Sequence, residues 1–163
     1  MFATGAVLDS FQSSAAAPKL LRGAITYAAG STGAIGTTTL FTVTGDVSLV
    51  FLGAKCTTDL TSAGAPTFDL GVVGKTTLFA SANDVTGWDT GEWLGGGGSY
   101  GAGGQPNSNV LTYNSSAGPG ISADIIQTIA TATITGGVVR WYVQWVPLSG
   151  DGNITLHANL SSF

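Results

Sequence analysis

VVRWYVQWVPL, residues 138–148, is the stretch that decides the fold. Trp141, Val143 and Trp145 fall on one side of a period-two pattern, with Arg140, Tyr142 and Gln144 on the other. Side chains of an extended chain alternate between faces, so this pattern predicts a strand with one apolar face. Downstream, NITLHANL (153–160) repeats the alternation, with Ile154, Leu156, Ala158 and Leu160 set against Asn153, Thr155, His157 and Asn159. Upstream, ISADIIQTIATATI (121–134) leads into it through Thr135-Gly136-Gly137, which reads as a turn.

Strand-like text fills most of the remaining chain. LRGAITYAA (20–28), TTTLFTVTG (37–45) and DVSLVFLGAKCTT (46–58) are β-branched and aromatic, and the last two predict a hairpin around Gly45-Asp46. In the third, Val47, Leu49 and Phe51 share one face while Val50 and Leu52 share the other, so the strand is expected to be central or covered by another subunit. Leu60 to Ala65 reads as a loop, and PTFDLGVVGKTTLFASA (66–82) as one long or two short strands. Some eight strands with turns between them predict an all-β, antiparallel sandwich or jelly-roll-like barrel. Residues 1–18 are small and polar and read as an extended N-terminal arm, with 19–163 forming a single β domain. Within it, LGGGGSYGAGGQPNSN (94–109) reads as a long glycine-rich loop that a neighbour would have to order.

Composition narrows the function. A chain of 163 residues buries enough surface to fold without disulfides or metal. Charged residues make up 9%, against about 25% in ordinary soluble domains, and such a surface suits a protein packed in an assembly. The net charge is −4, and the five cations, Lys19, Arg22, Lys55, Lys75 and Arg140, are scattered along the sequence. No basic stripe is visible, so nucleic acid is not an expected partner. The N-terminus lacks the basic region of a signal peptide, and no apolar run reaches the ~20 residues of a membrane span; a soluble protein without membrane contact is expected. Cys56, the single cysteine, lies in an apolar strand and reads as a buried, inert thiol.

The catalytic patterns fail on context. Gly97-Gly98-Ser99-Tyr100-Gly101 fits the spacing of a hydrolase nucleophile elbow. An elbow needs a strand before the serine and a helix after it, and glycine-rich text flanks Ser99 on both sides. His157, the only histidine, would have to be its base, yet it falls on the polar face of a terminal strand. Gly74-Lys75-Thr76 ends like a phosphate-binding loop, but Asp69 stands where that pattern requires glycine. One His and one Cys cannot make a zinc site, whereas Asp84, Asp89 and Glu92 in one loop pose the question of Ca²⁺. No cofactor is expected. Trp88, Trp93, Tyr100 and Tyr113 lie in or beside the long loop region, where they could stack on a glycan.

Three segments carry a resemblance. GAIGTTTLFTVTGDVSLVFLGAKCTTDL (33–60), FDLGVVGKTTLFASANDVTGWDTGEWL (68–94) and above all WYVQWVPLSGDGNI (141–154) resemble a group of small virion structural proteins of tailed bacteriophages. The most specific part is the closing motif of Trp145, Pro147, Leu148, Ser149, Asp151, Gly152 and Asn153. The resemblance implies a non-enzymatic role in the virion, with a capsid decoration (cement) protein on the outside of the head as the preferred version. It also implies the major capsid protein as a partner, and self-association, most often as a homotrimer. A receptor- or glycan-binding fibre or tail-tip protein is the alternative, followed by a tail or connector component. The residues expected to meet a neighbour are Met1, Phe2 and Phe11 of the arm, with Trp88, Trp93 and Tyr100 of the loops.

Overall fold

The computed structural model describes residues 17–94 and 120–163, and they form two antiparallel sheets packed face to face. In chain order the strands are β1 (Lys19–Thr26), β2 (Gly36–Thr44), β3 (Val47–Ser62), β4 (Thr67–Val72) and β5 (Lys75–Asp84). They continue with β6 (Trp93–Leu94), β7 (Gly120–Ile121), β8 (Ile125–Ala130), β9 (Ile134–Pro147) and β10 (Asn153–Leu156). Sheet A runs β1-β9-β3-β6, with β7 also on β3; sheet B runs β10-β2-β8-β4-β5. This is the expected β-sandwich.

The core lies between the sheets. Trp141, Val143 and Trp145 of β9 point into it, as their alternation requires, beside Ile25, Leu49 and Leu52 of the same sheet. Leu40, Phe41, Phe68, Leu70, Ile125 and Ile129 face them from sheet B. Each such side chain, fully buried, contributes about 1.5–3 kcal/mol, which holds the layers together without any disulfide. Phe68 bridges the layers, with its ring 6.3 Å from Trp141 and 5.9 Å from Trp88. One polar pair crosses the interior: the Tyr27 hydroxyl donates to Gln127 Oε1 at 2.8 Å, with both residues buried.

The structure departs from the sequence reading in four places. First, Gly45-Asp46 does not close a hairpin, because β2 joins sheet B and β3 joins sheet A. The connection is an arch, pinned by the turn after β9. Ser149 Oγ accepts from Asp46 N–H at 2.8 Å and donates to Asp151 Oδ1 at 2.7 Å, while Leu148 N–H donates to Asp46 O at 2.8 Å. Gly45 adopts φ +61°, the left-handed region that favours glycine, and a Cβ there would crowd the Asp151 carboxylate and the Ser149 hydroxyl. Two of the segments that carry the virion resemblance, 33–60 and 141–154, therefore latch onto each other at Asp46.

Second, Thr135-Gly136-Gly137 is not a turn. β9 runs straight through it and pairs with the far half of β3, which extends through the predicted loop to Ser62. Third, β3 carries a bulge between Leu49 and Phe51. The extra residue reverses the parity, so Val47 and Leu49 before it, and Leu52, Ala54 and Cys56 after it, all face the core. Phe51 turns outward. The strand looked apolar on both faces because one core face is written in two registers. Fourth, the terminal strand stops at Leu156, and the chain then crosses to sheet A, where Ser161 bridges Ala24 of β1. Residues 66–82 resolve into the β4–β5 hairpin, with Gly74 at its turn (φ +87°).

Candidate docking surface

The two outer faces of the sandwich differ in chemistry. On sheet B the outward positions are largely threonine, illustrated by the Thr37 and Thr128 hydroxyls 2.9 Å apart across β2 and β8. On sheet A the strand register gathers residues from distant parts of the chain. Lys55 sits between Trp93 and Arg140, Tyr142 lies between Gly53 and Arg22, and Gln144 lies between Phe51 and Leu20.

Aromatic and cationic groups interlock on this face. The Trp93 and Tyr142 rings lie 5.3 Å apart, and Phe163 meets Tyr142 edge-on at 5.8 Å. Arg140 stands 4.4 Å above the Phe163 ring, Arg22 5.9 Å from it, and Lys55 5.7 Å from Trp93. Gly53 makes room: a Cβ there would meet the Phe51 ring at 2.5 Å. Leu20, Trp93 and Phe163 are exposed by 58%, 39% and 43%, so apolar surface and fixed cations are offered to solvent together. Such rings and guanidinium groups supply most of the energy of protein interfaces.

Of the residues expected to meet a neighbour, Trp93 lies on this face. Trp88 does not: it is 1% exposed, because residues 85–92 fold back along β3 and insert the indole beside Phe68. Leu60 N–H donates to Trp88 O at 2.9 Å and Cys56 N–H to Glu92 O at 2.9 Å, which fixes that segment to the strand. Met1, Phe2, Phe11 and Tyr100 lie outside the described residues, as do Ser99, Tyr113, most of the glycine-rich loop and residues 1–16 of the expected arm. Sequence reasoning missed Arg22, Lys55, Arg140, Tyr142 and Phe163 as a group. The cations are scattered along the chain, but the register of β1, β9 and β3 brings three of the five to one surface.

The other candidate sites have structural roles. Glu92 Oε2 accepts from Asp89 N–H at 2.9 Å, and Asp84 Oδ1 from Thr86 N–H at 2.8 Å. Asp59 Oδ1 accepts from both the hydroxyl and the N–H of Thr90. These bonds to Thr90 hold the Asp59 carboxyl below its usual range, and those to Thr86 do the same for Asp84. The carboxylates fasten the loop, and no group of three or more His, Cys, Asp or Glu converges as a metal site among the described residues. His157 Nδ1 accepts from Asn159 N–H at 3.3 Å and so shapes the turn after β10. Cys56 is buried, its thiol donates to Thr58 O and Trp88 O, and burial pushes its pKa up to about 11. Lys75, of the phosphate-loop near miss, opens β5 at the hairpin turn. No helix among the described residues is long and apolar enough to cross a membrane.

The described chain is thus an antiparallel β-sandwich whose most distinctive surface is a ring-and-cation face. No family model matches the sequence, and no curated protein matches it. Among solved structures it is similar to a chain titled "Cyanophage Pam1 capsid asymmetric unit". The identity is 13% and the TM-score 0.49, over 80% of this chain and 85% of that one.

Proposed function

We propose that this chain is a non-enzymatic structural protein of a tailed-phage virion, and specifically a decoration protein that binds the outside of the assembled head. The observation that carries the reading is the outer face of sheet A, where exposed Trp93, Phe163 and Leu20 are framed by Arg22, Lys55 and Arg140. A surface of this kind suits docking to another protein. The sequence resemblance supplies the virion context, and its most specific motif builds the latch between the Gly45-Asp46 arch and the Ser149–Gly152 turn. The mechanism is mechanical. A protein that buries apolar surface only on the assembled shell stabilises that shell by linkage, at about 25 cal/mol per Å² before the losses of association. The arm expected over 1–18 leads into β1, the outermost strand of sheet A, where it could add a strand to a neighbour.

The test is to mix the purified chain with heads that lack it. Co-sedimentation in fixed stoichiometry and a higher disruption temperature are expected; heads that neither bind it nor gain stability refute the proposal. The adjoining Trp93 and Tyr142 rings, tilted by 32° to each other, favour one second reading, a glycan platform on a fibre or tail tip. That reading predicts ligands on a glycan array and loss of host attachment in Trp93→Ala.

A further inference from the structure

Positive charge is concentrated on this chain against the trend of its composition. Arg22, Lys55 and Arg140 share the outer face of sheet A, which leaves Lys19 and Lys75 as the remaining cations of a chain with nine carboxylates. The register sets Lys55 directly opposite Arg140 across β3 and β9. It sets Arg22 opposite Tyr142, one diagonal step from Arg140. Like charges opposed in this way destabilise a sheet. Among the described residues none of the three is paired with a carboxylate. Each rests on a ring instead, Arg22 and Arg140 on Phe163 and Lys55 on Trp93. A guanidinium over a ring keeps its in-plane N–H donors free, in the fork that matches a carboxylate. Arg22 and Arg140 are both exposed, so those donors face outward. The face holds its cations together at a cost that an acidic partner would relieve.

We infer that the head site recognised by this face is acidic: a carboxylate-bearing patch of a capsid protein, to which Arg22 and Arg140 donate while Trp93, Tyr142 and Phe163 meet apolar surface beside it. The inference rests on the decoration reading and adds the chemistry of the partner. It also fixes orientation. An acidic shell attracts this face and repels the carboxylate-rich remainder of the chain, so encounter is steered to one approach. Exposed ion pairs contribute little affinity singly, so the rings anchor the contact while the charges select the site.

The experiment titrates the full chain onto heads that lack it, at about 0.05 M and about 0.5 M sodium chloride, which brackets weak and strong screening. Wild-type affinity is expected to fall about tenfold or more between the two. Arg22→Gln with Arg140→Gln should weaken binding about tenfold or more at low salt and flatten its salt dependence. Lys75→Gln, at the β4–β5 turn of the other sheet, removes a charge away from the face and should leave affinity within about twofold. Heads whose surface carboxylates are converted to amides with carbodiimide and glycinamide should lose wild-type binding as the double variant does. Unchanged far-ultraviolet circular dichroism establishes that the variants fold, and electron microscopy that the amidated heads stay intact. Stoichiometric binding indifferent to salt, to the double variant and to amidation overturns the inference and leaves the decoration reading standing. Heads that bind nothing at either salt overturn both. A double variant that binds heads as the wild type does but loses host attachment also overturns the inference, and places the acidic groups on a host glycan.

Discussion

Alanine at Gly137 should destabilise the sandwich by about 1–5.5 kcal/mol. The residue sits at φ +112°, where an L side chain is strained, and such backbone strain costs about 1–3 kcal/mol. A Cβ would also lie 2.6 Å from Asp59 O and 2.9 Å from Leu60 Cα. Both are backbone atoms of β3, at the register shift opposite Gly137, and backbone cannot swing aside as a side-chain end can, so overpacking of this kind costs about 1–3 kcal/mol more. The lower entropy of the unfolded alanine chain offsets only about 0.4–1 kcal/mol. Gly136→Ala is the internal control. Its Cβ would meet Thr61 Oγ1 at 3.0 Å, a side chain that can turn, so it should cost less than about 1 kcal/mol. Thermal unfolding followed by tryptophan fluorescence reads the difference, since each kcal/mol moves the midpoint by about 2–4 °C in a domain of this size. If Gly137→Ala melts with the wild type, or the two alanine variants fall equally, the straight passage of β9 through this pair is wrong.

Further outcomes follow from the interior and from the latch. Tyr27→Phe removes the donor to buried Gln127 Oε1 and should cost about 1–3 kcal/mol, whereas Tyr27→Phe with Gln127→Leu should recover much of the loss; urea midpoints check both. Burial also raises the Tyr27 hydroxyl far above its usual pKa, so its stabilising contribution is intact below about pH 10 and is lost as pH rises beyond that, which denaturation along an alkaline series would show. Cys56, buried with its pKa raised to about 11, should resist alkylation at pH 8 in the native protein and react once the chain is unfolded in denaturant. Ser149→Ala breaks the bonds to Asp46 N–H and Asp151 Oδ1 and should lower the urea midpoint by an equivalent of about 1–2 kcal/mol.

Local pattern made the sandwich legible. Trp141, Val143 and Trp145 alternate cleanly, and they are buried as that alternation demands. Pattern is silent on which sheet receives each strand. Gly45-Asp46 has the composition of a tight hairpin, yet Ser149 and Leu148, a hundred residues away in sequence, bind Asp46 and turn the connection into an arch. Gly136-Gly137 resembles a turn because the close approach of Asp59 and Leu60 of β3, which requires glycine, cannot be read from neighbouring residues. The bulge before Phe51 shifts the core register by one residue, so counting by twos misassigns the faces on either side. Less of the candidate surface was visible. Trp93 stands out as a loop aromatic, and so does Trp88, but only folding separates the exposed ring from the buried one. Arg22, Lys55, Arg140 and Phe163 come from four separate parts of the chain; strand register makes the three cations neighbours, and the bridge from Ser161 to Ala24 brings Phe163 to them.

The measurement closest to the central claim is quantitative mass spectrometry of purified particles of the tailed phage that the proposed function assigns as the source of this chain. A decoration protein should be present in a fixed, high ratio to the major capsid protein and should leave the particle as the shell is destabilised. Absence from the particle, or a handful of copies confined to the tail, would contradict it.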